Sequence, residues 1–341
     1  MSIKCGIQCL VCDYPIHLDT YKGCSHACKY CFVKQKYSIN NIEPIHTVKS
    51  LRNFIEGKRN FETKWCDWNI PIHWGATSDP FQVCEKTHKC TLECLEVFAE
   101  TKYPFIVSTK NPVLATEEPY LSLLSQCDVV FQISMACDKY DRLELGAPTY
   151  KERLKAAKIL SQHVTRLIVR VQPFFADKFK DILAEIPHYA ECGAYGIIVE
   201  GYSTAKKQKG LVKDGKYCFP IDILVPMFKR LKEECHKYGL RFFSGEDRLR
   251  FLGDSLSCCG TEGLETFKPN KFNIEHLAHD MEYVAPTEAM QATDTYQPFK
   301  CIGQTQVWAM KCKDKSFEQL MHEVGDPYVY WYQELRQKWS D

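Results

Sequence analysis

The chain of 341 residues predicts an α/β fold, a partial (β/α)6 barrel of the TIM type, on three observations. Short apolar runs alternate with helix-like stretches, strand before helix, six times in succession. Those runs are continuously apolar, the pattern of strands covered on both faces. Hydrophobic residues make up 45% of the chain and aromatics 13%, ample for a sizeable core.

Taken in order, the expected strands are 15–21 (PIHLDTY), 69–75 (NIPIHWG), 104–109 (PFIVST), 128–134 (DVVFQIS), 166–172 (RLIVRVQ) and 195–200 (YGIIVE). A seventh is expected at 240–244 (LRFFS). Helical patterns fall near 47–58, 86–102, 112–126, 149–163, 177–191 and 221–238. The organisation follows: an N-terminal cysteine-containing segment at 1–13, the barrel at 14–251 and a C-terminal extension at 252–341 that packs on it. In such a barrel, chemistry sits on the loops that follow the strands.

Charge and hydropathy narrow the function classes. Forty-four basic residues against 43 acidic ones leave a formal charge of +1, which excludes a generally basic nucleic-acid coat and an acidic tail protein. No apolar run approaches the ~20 residues that span a bilayer. The N-terminal MSIKCGIQCLVC has no long apolar stretch of the secretory kind, so a cytoplasmic location without a membrane partner is expected.

Cysteine usage is the outlier. Nineteen is an odd number, so complete disulfide pairing within the chain is impossible. A cytoplasmic protein has little use for disulfides. Clustered cysteines then point to metal binding or radical chemistry. The scattered ones, Cys66, Cys127, Cys137, Cys192, Cys218 and Cys235, read as small buried hydrophobes.

Directly after the first expected strand stands Gly23-Cys24-Ser-His-Ala-Cys28-Lys-Tyr30-Cys31, a C-x3-C-x2-C spacing. Three thiolates on one short loop suit three irons of a 4Fe–4S cluster, because iron–sulfur clusters need soft thiolate ligands. The fourth iron would stay open for an exogenous donor. A structural zinc is the alternative, and it would draw a fourth ligand from elsewhere.

This motif, with an aromatic before its last cysteine and a barrel pattern behind it, resembles the radical S-adenosylmethionine (SAM) superfamily. The resemblance implies a 4Fe–4S cluster on Cys24, Cys28 and Cys31 and bound SAM, which the reduced cluster splits to a 5′-deoxyadenosyl radical that abstracts hydrogen from substrate. It also implies an electron donor of the flavodoxin or ferredoxin type. Over roughly residues 12–200 the chain is similar to the spore photoproduct lyase-like branch: GCSHACKYCF, GATSDPFQ at 75–82, STK at 108–110, Ser134, and LELGAP at 143–148 followed by Arg153. By that resemblance Lys110 and Ser134 hold the SAM carboxylate, and an ammonium and a hydroxyl at adjacent strand ends suit one carboxylate. The turn containing Thr77, Ser78 and Asp79 receives the methionine amino group, and Tyr30 packs near the adenine. Arg170, on the fifth strand, is placed to touch the SAM ribose or the substrate. One position departs from the branch. Spore photoproduct lyases carry a hydrogen-returning cysteine before Thr-Ser-Asp, and here it is Ala76. Reversal of that photoproduct is not expected.

Other features admit two readings each. Cys5, Cys9 and Cys12 repeat the cluster spacing, but no strand is expected before them and Val11 replaces the aromatic. They form either a second metal site or thiols in an N-terminal lid. Cys258 and Cys259 could return a hydrogen atom to a substrate radical, supply a ligand to that second site, or be plain loop residues. Cys84, Cys90 and Cys94 read as residues flanking and lining a helix, and His73 as a satisfied core histidine. Lys206, Lys207, Lys209, Lys213 and Lys216 crowd the loop after the sixth strand with only Asp214 opposing. They either grip phosphates or form a solvated charged loop.

Three functions compete. The leading expectation is radical SAM chemistry on a nucleobase, as a nucleotide or within DNA. The second is radical modification of a peptide or small metabolite, and the third a non-catalytic metal or nucleic-acid-binding module.

Overall fold

Val129–Ser134 (VVFQIS) shows why the sheet forms where it does, since all six residues are buried, apolar on one face and mixed on the other. The computed structural model describes residues 3–5, 12–35, 41–60, 63, 69–270 and 326–339. Eight strands form one sheet: β1 (Ile3–Cys5), β2 (Ile16–Leu18), β3 (Ile72–Trp74), β4 (Phe105–Thr109), β5 (Val129–Ser134), β6 (Arg166–Phe174), β7 (Gly196–Gly201) and β8 (Arg241–Ser244). Their order in the sheet is their order in the chain. From β2 to β8 every neighbouring pair is parallel. Such a sheet, with helices in the crossovers, is a TIM-type winding left open, because β1 and β8 are its two edges.

The seven expected strands are present: five are shortened at their ends, the one expected at 166–172 runs on to Phe174, and the one expected at 195–200 is shifted by one residue. β1 was not expected. It pairs antiparallel with β2 and contains Cys5, so a strand does occupy the N-terminal cysteine segment. Cys9 and Cys66 lie outside the described residues, as do Cys301 and Cys312.

The main helices are α1 (Val48–Ile55), α2 (Cys90–Thr101), α3 (Tyr150–Leu160), α4 (Phe179–Glu191), α5 (Ile221–Lys237) and α6 (Asp326–Trp339). Two expected helices are broken. Lys89 takes a left-handed backbone (φ 57°) that separates Glu85–His88 from α2. The buried Glu85 carboxylate then accepts from the backbone N–H groups of Thr91 (2.8 Å) and Leu92 (3.0 Å), closing the new helix start. Pro119 divides 112–126 into Pro112–Ala115 and Tyr120–Leu124, because it lacks an N–H and disfavours helix in the residue before it.

The sheet separates two cores. The outer one lies under the helices and includes Trp74, Phe98, Phe105, Phe131 and Phe228. On the inner face, Ile106, Val130, Ile168, Ile198 and Phe243 from β4 to β8 meet Tyr14, Cys259 and Phe267. Residues after 252 therefore supply the barrel's apolar floor. Arg166 Nη1 donates to the carbonyls of Gly260 (2.7 Å) and Glu262 (2.9 Å), and Gln132 Nε2 to that of Cys259 (3.1 Å). Tyr14 Oη bonds Thr261 Oγ1 at 2.7 Å and donates to the Phe267 carbonyl at 3.0 Å. Gly260 has φ +72°, and a Cβ there would stand 2.5 Å from Ile168 Cδ1. Each large apolar side chain fully buried here contributes about 1.5–3 kcal/mol.

Two residues further along β4 to β7, the inward positions turn polar: Ser108, Gln132, Arg170 and Glu200. Period-two alternation thus places a polar layer above the apolar one, toward the strands' C-terminal ends. After β7 the lysine-rich loop forms a small sheet of Ser203–Thr204, Val212–Asp214 and Lys216–Cys218. Among the described residues, no helix is long and apolar enough to cross a membrane.

Candidate functional site

The cysteine loop leaves β2 through Tyr21–Lys22, which pairs with Glu43–Pro44. Gly23 turns the chain with φ +81°, and a Cβ there would stand 2.8 Å from the Asn41 carbonyl oxygen. The loop is then clasped from two sides. Gln82 accepts from Ser25 N–H (2.9 Å) and donates to the Gly23 carbonyl (3.2 Å). Opposite, Lys29 N–H donates to the Leu143 carbonyl (2.8 Å), and Gly146 N–H to the His26 carbonyl (2.9 Å). His26 Nδ1 lies 3.0 Å from the Gly146 carbonyl oxygen. A Cβ on Gly146 would lie 2.3 Å from the Ser25 carbonyl oxygen and 2.9 Å from His26 Cα. The 143–148 segment is therefore the seat of the cysteine loop.

Cys28 is buried, and Cys24 and Cys31 are half-buried; none is in a disulfide. Burial pushes the Cys24 thiol up to about 12, with Asp79 adding to it. Burial likewise pushes Cys28 up to about 11, against the pull of the Lys110 ammonium. Burial thus disfavours the thiolate in the metal-free protein; what suits a soft metal here is the sulfur donor set itself. Among the described residues, no three His, Cys, Asp or Glu side chains are grouped as for a single metal ion.

Beside Cys28 lies a compact polar group. Lys110 Nζ is 3.8 Å from Glu144 Oε1 and 5.7 Å from the centre of the Tyr30 ring. Tyr30 Oη donates to Glu144 Oε1. The other Glu144 oxygen accepts from Arg153 Nη1 at 2.5 Å, and the same nitrogen donates to the Ser134 carbonyl at 2.7 Å. Glu144 and Arg153 are 3% and 2% exposed, so this pair ties α3 to the end of β5 inside the protein. The structure thus brings Tyr30, Lys110, Ser134 and Cys28 to one place.

The turn after β3 is held differently. Gly75 has φ +89°, and a Cβ there would stand 2.5 Å from the Ser108 carbonyl oxygen. Thr77 and Ser78 turn their hydroxyls to Asp19, which accepts from Thr77 N–H (3.0 Å), Thr77 Oγ1 (2.5 Å) and Ser78 N–H (3.1 Å). Asp79 accepts from Phe81 N–H (2.9 Å), Thr109 Oγ1 (2.7 Å) and Lys110 N–H (2.6 Å), and lies 3.0 Å from His26 Nε2. Burial pushes its carboxyl up, but His26 and these hydrogen bonds prevail and hold it below the usual range. Asp79 therefore braces β4 and the cysteine loop, and the turn presents backbone rather than side chains to its surroundings.

Arg170 belongs to the inner polar layer. Its Nη1 donates to Gln132 Oε1 (2.6 Å) and Ser108 Oγ (3.3 Å), and its Nη2 to Gln172, whose amide donates on to Glu200. His73 Nε2 joins the chain at Ser108 Oγ, 3.0 Å away. Burial keeps His73 well below its usual range, with Arg170 and His17 acting in the same direction. Burial raises Glu200 to about 8 despite Arg170. Cys258 and Cys259 lie beneath this layer with their sulfurs 3.9 Å apart. The hydrogen bond with Cys259, and Arg250 and Arg170 beyond it, pull the Cys258 thiol down. Cys12 is its neighbour, and burial holds that thiol far above the ordinary range, with Cys258 adding to it.

No protein-family model matches the chain. Uncharacterized protein Rv2578c of Mycobacterium tuberculosis is 24% identical over 206 residues, 57% of this chain and 60% of the relative. Uncharacterized protein Mb2609c of Mycobacterium bovis matches to the same extent. The chain thus spans about 60% of the length of the curated relatives it matches. Among solved structures, Streptococcus suis SuiB bound to S-adenosylmethionine aligns with a TM-score of 0.49 at 12% identity, over 69% of this chain and 51% of that one. Another, anSMEcpe with bound AdoMet, aligns at 0.46 and 11% identity, over 94% and 98%. Methylornithine synthase (PylB) aligns at 0.44 and 10% identity, over 79% and 82%.

Several residues that build the site carried no role in the sequence reading. Asp19 orients Thr77 and Ser78, His26 meets Asp79, and Glu144 links Tyr30, Lys110 and Arg153. A signal for Glu144 was present, an acidic residue inside LELGAP nine positions before an arginine, but the spacing alone does not show that the two meet. Asp19 ends an apolar run, where a turn residue is the ordinary reading.

Proposed function

We propose that the chain is a radical SAM enzyme, similar to the spore photoproduct lyase-like branch, acting on a nucleobase in DNA or a nucleotide. The observation that carries this reading is the seating of the Cys24–Cys28–Cys31 loop. Three unpaired thiols at the C-terminal end of β2 are clasped by Gly146 and Gln82, with Lys110 alongside Cys28. In this reading the three thiolates hold a 4Fe–4S cluster that, when bound and reduced by a flavodoxin- or ferredoxin-type donor, supplies the electron for cleaving SAM to a 5′-deoxyadenosyl radical. Lys110 and the Ser134 hydroxyl bind the SAM carboxylate from adjacent strand ends. The backbone of the turn at Thr77, Ser78 and Asp79 receives the amino group, kept in shape by Asp19 and by Asp79 itself. Tyr30, fixed through its hydroxyl on Glu144, offers a ring beside the adenine. Arg170 and its amide neighbours form the polar layer beneath the substrate, with Cys258 and Cys259 under it as candidate hydrogen donors.

Ala76 carries no transferable hydrogen, so direct reversal of the spore photoproduct is not part of the proposal. The test is anaerobic incubation of the reconstituted protein with SAM, reductant and base-deuterated nucleosides or DNA. Deuterium appearing in 5′-deoxyadenosine supports the reading. Vigorous SAM cleavage with deuterium absent from the product for every nucleobase would overturn its substrate part.

A further inference from the structure

The lysine-rich flap after β7 and a run of aromatic rings beside it bear on what reaches the site. Between 203 and 218 stand Lys206, Lys207, Lys209, Lys213 and Lys216, five cations against the single acid Asp214. All five are exposed. Asp214 is already 3.5 Å from Arg248 Nη1. Among the described residues, none of the five lysines has an acidic partner within ion-pair distance, although surface lysines elsewhere in the protein do, such as Lys22, Lys86 and Lys237. A chain with formal charge +1 has therefore gathered unneutralised positive charge on one small sheet.

The flap is rooted at Tyr202. That residue's N–H donates to the Phe174 carbonyl (3.0 Å), and Gln208 from the flap donates to its hydroxyl (3.1 Å). The Tyr202 ring is 4.9 Å from Phe175, and Phe175 is 6.0 Å from Tyr30 in the cysteine loop. All three rings are half-buried, with part of each open to solvent. A line of aromatic surface thus runs from the foot of the lysine flap to the residue beside Lys110 and Cys28.

We infer that the flap and this ring line form a binding track for single-stranded DNA: the lysines hold phosphates while Tyr202 and Phe175 stack bases on the way to the cysteine loop. Cations alone would suit any polyanion, an acidic peptide included. The rings favour a nucleic acid, since every base has a π-face and stacking on protein aromatics contributes about 1–3 kcal/mol per base. They also favour an unpaired strand, because bases inside a duplex cannot reach recessed rings without being extruded. The inference rests on the proposed function for its meaning, but the binding it describes needs neither cluster nor SAM.

The experiment is fluorescence anisotropy of the full-length protein with a labelled 20-nucleotide single strand of mixed sequence. If all five lysines engage, affinity falls about a hundredfold between 50 and 200 mM salt, at a slope near 0.7 per phosphate contact. Replacing the five lysines by serine weakens binding and flattens the salt dependence. Replacing them by arginine preserves both, and circular dichroism of the two variants controls for folding. Tyr202→Ala with Phe175→Ala weakens binding at an unchanged salt slope. Unaltered binding by the serine variant overturns the track. So does equal affinity for a poly-glutamate peptide or for a duplex of the same length. Since SAM cleavage without DNA uses none of the five lysines, it is retained in the serine variant. Loss of DNA binding and loss of SAM cleavage are thereby separate outcomes, one against each proposal.

Discussion

Gly146 and Ser25 meet backbone to backbone, so closely that a methyl group on Gly146 would stand 2.3 Å from the Ser25 carbonyl oxygen. The contact couples two segments 121 positions apart in sequence, and it sets where Cys24 and Cys28 stand. Gly146→Ala must displace backbone rather than a flexible side-chain end. Overpacking of this kind costs about 1–3 kcal/mol. The expected outcome is a folded barrel with an impaired cysteine loop: near-normal far-ultraviolet circular dichroism, and much less iron and brown absorbance after anaerobic reconstitution. Full iron uptake by the variant would refute the seating role.

Arg153 and Glu144 form a buried ion pair 2.5 Å long. Removing one partner leaves the other charge buried and uncompensated, at a cost of about 3–5 kcal/mol. Arg153→Met is expected to lower the melting temperature by several degrees or more. Glu144→Gln keeps the shape but leaves the Arg153 guanidinium buried without its counter-charge, and is expected to cost at least as much. A melting temperature unchanged in both would show that the pair does not anchor α3 to β5.

Much of this architecture was legible in the sequence because strands covered on both faces leave continuous apolar runs. Val129–Ser134 and Gly196–Gly201 were found that way, nearly to the residue. The cysteine loop was legible because its three ligands are local. The seat beneath it was not, since Gly146 and Glu144 act through contacts that no local pattern encodes. The barrel floor was hidden for a similar reason. Cys259 and Phe267 lie eight residues apart on an irregular segment with neither helical nor strand periodicity, and only the open inner face of the sheet explains their burial. β1 was missed because three residues at a sheet edge carry too little pattern to stand out.

Glu200 gives the protein a pH dependence of definite sign. Its folded-state value of about 8 exceeds the ordinary 4.5, so the folded state holds a proton that the unfolded state has released across that interval. Stability contributed by the protonated carboxyl is complete below pH ~4.5 and declines as pH rises toward 8. Glu200→Gln removes the titration. Compared at pH 5 and pH 8, the variant is expected to gain about 3–4 kcal/mol on the parent at the higher pH, read from denaturant unfolding. Parallel curves for the two proteins would show that Glu200 does not titrate in this range.

Lys110 supplies the one ammonium within the Tyr30–Glu144–Cys28 group described above. Lys110→Ala removes a charge-assisted contact to the SAM carboxylate of the proposed complex, worth about 1.5–3 kcal/mol. The variant is expected to keep its iron and bind SAM roughly ten- to a hundredfold more weakly, in a titration followed by the cluster's electron paramagnetic resonance signal. Equal affinity would remove Lys110 from the SAM site.

The central claim is that Cys24, Cys28 and Cys31 hold a cluster that cleaves SAM. The most direct measurement is 5′-deoxyadenosine production from SAM under dithionite, anaerobically, by the reconstituted protein and its Cys24→Ala, Cys28→Ala, Cys31→Ala triple variant. The account predicts steady production by the parent and none by the variant. Undiminished production by the triple variant, or none by an iron-loaded parent, would contradict it.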